Sequence, residues 1–330
     1  MKEPSPIQPA QLDGFEFFIK RDDLLGDYLG GNKARKLEFF VQNSHKFEPN
    51  LRLVSYGSSQ SNALAALSVF ARQKGFSLIF VCEKISNFLK ENPCGNYAFA
   101  LKNGAQIVEN TDFATRKEKA LSLCEERDIF IEEGVACKEA QWGFETLAKE
   151  IEAQSKEFGF EFDIFLPAGT GASALYLAKY SQMRVFTCAC VGDEEYLKQQ
   201  MLELEPNFCA QILGVDDFFS ANSALNSANF FQKAKHSLLG TKEANLFILK
   251  TPRKFHFAKP YKELLSMHQK ALKETGIEFS LLYDSVGLLT LLAYKDFFTR
   301  KVLYIHQGGA RGNESMLARY EYKFNTKDKR

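Results

Sequence analysis

The sequence predicts an α/β protein of two lobes, each built on a mainly parallel sheet flanked by helices. Three observations point there. Strand-like runs alternate with helix-like runs along most of the chain. Several strands run straight into glycine- and hydroxyl-rich loops that open helices, and Phe162-Asp163-Ile164-Phe165-Leu166-Pro167 is a near-continuous apolar strand of the kind buried on both faces. A chain of 330 residues has room for two domains, at about 100–200 residues each.

Phe15 to Lys20 alternates as a strand, Arg21 to Gly26 is a polar loop, and Ala34 to Val41 begins a helix. Leu51 to Tyr56 is a second strand, ending in Gly57-Ser58-Ser59-Gln60-Ser61-Asn62, and the helix from Ala63 stops at Gly75. Ser77 to Cys82 completes a βαβ unit, which implies parallel pairing. Next come a helix from Gly95 to Gly104, a strand at Ala105 to Val108, a charged helix from Ala114 to Arg127 and a short strand at Phe130-Ile131. Trp142 to Phe158 reads as a long amphipathic helix, and the buried strand after it enters Ala168-Gly169-Thr170-Gly171-Ala172-Ser173 before a helix to Tyr180. Val185 to Val191 is another buried strand, residues 194 to about 249 are polar, helix-like and without a motif, Tyr261 to Thr275 is a helix closed by Gly276, and Val302 to His306 is the last strand.

Hydrophobic residues make up 45% and charged ones 25%, an ordinary soluble composition. With 42 basic and 41 acidic residues, no global field recruits nucleic acid or an acidic membrane surface. The seven cysteines form no CxxC pair and find no histidine at zinc spacing, so no metal is expected and a reducing compartment fits. Met1 to Asp13 carries three prolines and no apolar core, and no run of 18 apolar residues occurs, so a cytoplasmic location is expected.

Three stretches could carry chemistry. Gly30-Gly31-Asn32-Lys33-Ala34-Arg35-Lys36 sets two lysines three apart where a glycine turn becomes a helix. That spacing lets Lys33 act as a reactive amine and Lys36 as a fixed charge on one face. The positive end of the helix dipole disfavours the protonated amine. A solvated basic turn is the alternative. Gly169 to Ser173, between a buried strand and a helix N-terminus, suits a compact phosphate, since it lacks GxGxxG spacing; its alternative is a tight strand-to-helix turn. Gly57 to Asn62 offers hydroxyl, amide and N–H donors for a carboxylate, or Ser61 or Asn62 simply caps the next helix.

Together with Lys20-Arg21-Asp22-Asp23, Leu37-Glu38 and His306-Gln307-Gly308-Gly309, these stretches resemble the fold type II pyridoxal-phosphate enzymes, in particular the 1-aminocyclopropane-1-carboxylate deaminase and D-cysteine desulfhydrase family. The resemblance spans nearly the whole chain. It implies pyridoxal 5′-phosphate held covalently by Lys33, with Lys36 and Gly169, Thr170, Gly171, Ala172 and Ser173 at the phosphate and Asn62 at the ring hydroxyl. Ser61, with Gln60 and Asn62 around it, would receive the substrate carboxylate. Ser280-Leu281-Leu282-Tyr283-Asp284-Ser285 stands where the family usually reads Asp-Pro-Val-Tyr and then Glu or Thr. By that alignment Tyr283 faces the substrate and Asp284 the pyridine nitrogen, keeping it protonated. A helix N-cap aspartate beside a core tyrosine is the other reading of this pair.

The chain departs from the family at Ser280-Leu281, at Gln307, and at Phe257, where a second tyrosine is common. A phenylalanine can neither donate a proton nor attack, so ring opening that relies on two tyrosines is in question, and Tyr261 is a candidate substitute. The resemblance implies a large cofactor-binding domain of residues 1–36 and 145–330 and a small domain, 37–144, that closes over the substrate, with the cofactor in the cleft. It implies a deaminase or lyase acting on a small amino acid to give ammonia and a 2-oxo acid, as a homodimer. A β-replacing synthase of the same fold and a degenerate cofactor-binding protein are the alternatives.

Overall fold

The computed structural model describes residues 3–26, 30–48, 50–214 and 245–325. Most of the motif-poor stretch of residues 194–249 lies outside them. By contact the chain divides into two units: Met1–Asp22 with Phe144–Gln307, and Asp23–Gly143 with Gly308–Arg330.

The first unit holds a seven-stranded sheet. At its edge, β1 (Ile7–Leu12) pairs antiparallel with β2 (Phe15–Lys20) through a turn in which Asp13 and Gly14 both have positive φ, 52° and 74°. Two left-handed residues match the twist of a two-residue hairpin. The sequence reading overlooked β1 because Pro9 interrupts it, and a proline is tolerated in an edge strand. The other strands are parallel: β7 (Phe162–Ala168), β8 (Val185–Ala189), β9 (Ala210–Leu213), β10 (Leu246–Leu249) and β11 (Lys301–Ile305), giving the order β1-β2-β11-β7-β8-β10-β9. Every residue of β7 is buried, as its apolar run requires. Its one charge, Asp163, receives two 2.6 Å hydrogen bonds from Arg184.

Helices α6 (Gln141–Phe158), α7 (Ala172–Tyr180), α8 (Glu194–Leu204), α9 (Lys262–Thr275) and α10 (Asp284–Ala293) flank this sheet. In α10, Val286, Leu288 and Leu291 are buried on more than one face, so the helix has no amphipathic stripe to mark it in the sequence. Stacked rings fill the core, Phe165 on Tyr304 at 5.7 Å and Phe186 on Phe247 at 5.1 Å.

The second unit is a four-stranded parallel sheet in the order β5-β4-β3-β6, from β3 (Arg52–Tyr56), β4 (Ser77–Cys82), β5 (Gln106–Glu109) and β6 (Ile129–Ile131). Around it lie α1 (Asn32–Asn43), α2 (Asn62–Lys74), α3 (Asn87–Glu91), α4 (Gly95–Lys102), α5 (Arg116–Ser122) and α11 (Asn313–Asn325). Residues 23–36 and 308–330, grouped with the larger domain on sequence alone, cluster here. The reason is packing: Leu37 and Phe40 of α1 share one core with Leu64, Leu67 and Phe70 of α2 and Phe80 of β4. Close approach adds to it, since a Cβ on Gly143 would stand 2.0 Å from the Arg35 carbonyl oxygen. A motif read for its chemistry does not reveal which core its helix completes.

In both sheets the loops singled out in the sequence leave the carboxyl ends of strands: 57–61 after β3, 169–171 after β7, 306–309 after β11. Open α/β sheets bind ligands at that edge. No described helix is long and apolar enough to cross a membrane.

Candidate active site

Gly31 turns the chain into α1 with φ 72°, a backbone that favours glycine. Lys33 follows as the second helical residue. Its amine lies 3.4 Å from Asn32 Oδ1, and burial pulls its pKa down to about 8. At pH 7 about one such amine in ten is neutral, against roughly one in three thousand at the ordinary lysine value. A neutral amine is what attack on a carbonyl carbon needs. Lys36, one turn on, is buried and donates to the Gly134 carbonyl at 2.9 Å. Burial and then the charge of Lys33 hold its amine well below the usual lysine range.

The turn that receives Lys36 is strained. Gly134 has φ 68° and the buried Val135 φ 55°, a value that a β-branched residue adopts only under constraint. Nothing in the sequence around residue 135 signals it.

Ser61 Oγ accepts from the Ala63 amide at 3.0 Å and so caps α2. The capping reading of Ser61 is therefore realised, and the same helix N-terminus is a place where an anion is favoured. Gln60 ties the loop to α4: its Nε2 donates to Cys94 O at 3.1 Å, and its Oε1 accepts from the Asn96 amide at 3.0 Å.

Asn62 Oδ1 accepts from Asn96 Nδ2 at 2.8 Å. The glycine pair after β11 closes on these residues. A Cβ on Gly308 would stand 3.3 Å from Gly31 Cα, and one on Gly309 only 2.5 Å from Asn62 Nδ2. Gly309 also has φ 90°. Gly309→Ala is therefore expected to displace the Asn62 amide and lengthen its 2.8 Å bond to Asn96, as a crystal structure of the variant would show.

In the first unit, β7 delivers the partly exposed Gly169 and Thr170 and then Gly171, whose φ of 78° opens α7 without a side-chain cap. The first N–H groups of a helix have no partner within it. Ala172 and Ser173 thus present amides with the helix dipole behind them, a suitable cradle for a phosphate. A Cβ on Gly171 would meet Met201 Cγ at 2.8 Å, and one on Gly169 would meet the Tyr283 ring at 3.2 Å. Tyr283 and this loop, far apart in sequence, are thereby brought together.

Phe257 packs against Tyr283 with ring centroids 5.5 Å apart, and the next residue, Ala258, is strained at φ 57°. The aligned position of the missing second tyrosine is thus beside Tyr283. The Tyr261 hydroxyl accepts the His256 amide at 3.1 Å, and its ring packs on Phe255.

Asp284 opens α10, buried. Its Oδ2 accepts from the Ser280 amide at 2.8 Å and its Oδ1 from the Tyr304 hydroxyl at 2.7 Å. Burial and then the carboxylate's charge push the Tyr304 pKa well up, so the tyrosine stays a donor. His306 is a satisfied core histidine, stacked on Phe279 at 4.7 Å with Nε2 3.0 Å from Glu278 O. Gln307 donates to Pro167 O at 2.6 Å.

The second unit thus carries a low-pKa lysine amine beside the Asn62 amide, and the first unit a glycine-lined helix N-terminus suited to an anion. The sequence profile of the pyridoxal-phosphate dependent enzymes matches residues 3–201, more than half of the chain. The chain belongs to this family. When bound, pyridoxal phosphate supplies an electron sink for the pair left when a bond at the substrate Cα breaks.

Within the family, the chain is 24% identical over 314 residues to a Pyrococcus furiosus protein provisionally named 1-aminocyclopropane-1-carboxylate deaminase, covering 92% of this chain and 87% of the relative. It is 32% identical over 182 residues to the 1-aminocyclopropane-1-carboxylate deaminase of Burkholderia cenocepacia, a match that covers 48% of this chain and 52% of that enzyme. Among solved structures, a homologue of 1-aminocyclopropane-1-carboxylate deaminase superposes with a TM-score of 0.71 at 20% identity, covering 97% of this chain and 94% of its own. The α/β architecture with parallel sheets flanked by helices is thus that of the fold type II enzymes.

Proposed function

We propose that this enzyme is a deaminase or lyase acting on a small amino acid, giving ammonia and a 2-oxo acid. The observation that carries the proposal is the Lys33 amine, brought to about 8 by burial at the start of α1. In this reading Lys33 would bond the cofactor and then serve as the base, taking a proton from Cα where the substrate has one and from a ring CH2 of a cyclopropane, whose Cα has none. Lys36 and the amides of Gly169 to Ser173 serve its phosphate, Asn62 its ring hydroxyl and Asp284 its ring nitrogen. The N-terminus of α2 at Ser61 receives the substrate carboxylate, and Tyr283 handles the second proton. The names of the relatives point to 1-aminocyclopropane-1-carboxylate; one water would convert it to 2-oxobutanoate and ammonia.

The pairing of Phe257 with Tyr283 favours a second substrate. Opening a cyclopropane asks more of acidic and basic side chains than expelling a thiol does, and one of the two hydroxyl positions is apolar here. D-Cysteine and one water would give pyruvate, ammonia and hydrogen sulfide, with the Cα proton passing to Lys33 and the sulfur leaving with the Cβ–S electron pair.

The test is the visible absorption of the cofactor-loaded protein before and after addition of each compound. A shift with D-cysteine and sulfide release supports the thiol substrate, and a shift with 1-aminocyclopropane-1-carboxylate supports the cyclic one. A band unmoved by either would remove both substrates. We further propose a cytoplasmic homodimer, which sedimentation of the loaded enzyme checks for assembly.

A further inference from the structure

Asn96 is only 1% exposed, and it is the second residue of α4, a position where asparagine brings nothing to helix stability. Its hydrogen bonds determine the polarity of its neighbours. Asn96 Nδ2 lies 2.9 Å from the backbone carbonyl of Gln60, which only accepts, so that end of the Asn96 side chain is the NH2 group. The same NH2 lies 2.8 Å from the Asn62 side chain, so the Asn62 atom facing it is the oxygen. Asn62 Nδ2 therefore points the other way, to the side where Gly309 leaves room for it. Backbone groups of known polarity fix each step, which removes the usual ambiguity of an amide's orientation.

The surroundings hold Asn96 in place. Its own amide donates to Gln60 Oε1, and the preceding amide, Gly95, donates to Glu314 of α11 at 3.1 Å. The first N–H groups of α4 are thus taken by one side chain of the loop before α2 and one side chain of the C-terminal helix. Gly95 has to be glycine: it has φ 58°, and a Cβ there would stand 2.6 Å from Gln60 Oε1.

We infer that Asn96 is a positioning residue that makes Asn62 a donor only, so that the group bound beside Gly309 must be a hydrogen-bond acceptor, such as an ionised ring hydroxyl. This rests on the reading of Asn62 as the contact to the cofactor ring. Asn96→Asp reverses the polarity: the new carboxylate accepts from Asn62 Nδ2, and the Asn62 oxygen then faces the ligand.

The experiment is a double-mutant cycle on the full-length protein, comparing Asn96→Asp, Asn62→Ala and both together. It reads the dissociation constant of pyridoxal phosphate and the wavelength of the bound cofactor's visible band. Asn96→Asp is expected to weaken binding about tenfold to hundredfold and to move the band, and to do neither in the Asn62→Ala background. Asn96→Ala, which buries no charge, serves if the aspartate variant fails to fold; it should show a smaller loss with the same dependence on Asn62. Unchanged binding and band in Asn96→Asp, or an equal loss in both backgrounds, overturns the inference. If Asn62→Ala itself leaves binding and band untouched, the reading of Asn62 fails and the inference falls with it.

Discussion

Replacing Lys33 by alanine is expected to abolish the visible absorbance of lysine-bound cofactor and to lower turnover by about 10²–10⁴-fold from the lost proton transfer alone. The expectation follows from one number. Burial brings the amine to about 8, so it is both a nucleophile and a base near neutral pH. The sign of the pH effect is equally definite. A lysine pKa that is lowered leaves more neutral amine as pH rises through it, so the rate at which apoprotein captures pyridoxal phosphate should climb about tenfold per pH unit below 8 and level off above it. Stopped-flow absorbance between pH 6 and 9.5 measures this. A Lys33→Ala protein that still showed the lysine-bound band, or a capture rate still rising steeply at pH 9.5, contradicts the assignment.

Lys20→Met should destabilise the fold by about 3–5 kcal/mol, the cost of breaking a buried ion pair by removing one partner. The Lys20 side chain is fully buried. Its amine donates to Ser5 O at 2.6 Å, to Gln154 Oε1 at 2.8 Å and to Glu150 Oε2 at 3.0 Å. Methionine keeps most of the volume but leaves a carboxylate, a carbonyl and an amide oxygen without that cation. Denaturant unfolding should show a lower midpoint with an unchanged slope, and the cofactor band should persist in the folded protein. A shift under about 1 kcal/mol would mean that Glu150, whose side chain is 15% exposed, recovers its hydration by turning outward.

Lys20 also shows where reading a sequence stops. Lys20-Arg21-Asp22-Asp23 contributes to the family resemblance and looks like part of the chemistry. In the fold Lys20 ties the N-terminal segment to α6, and Asp22 accepts the Ser5 hydroxyl at 2.6 Å. A charged residue used for chemistry and one used to tie buried segments together look alike in a single sequence, because only the fold shows its partners.

Strands β2 to β8 and β11, the parallel pairing of the βαβ stretch, the glycine turn before Lys33 and the loop from Gly169 to Ser173 were legible from the chain itself, whereas β9 and β10 fall in the stretch expected to be helix-like. Each rests on a short-range rule: a hydrophobic period, a strand-to-helix turn, a glycine where φ is positive. The edge strand β1 and the uniformly apolar α10 escaped because a proline and the lack of a polar face erase those periods. Tertiary structure alone decided that α1 joins the second unit's core, that Gln60 fastens a loop, that Phe257 lies on Tyr283, and that Asn96 donates to Asn62. Such pairings join residues 26 or more positions apart, and they are selected by which apolar faces remain to be covered and which polar groups remain to be satisfied once the backbone is folded. No local pattern encodes that remainder.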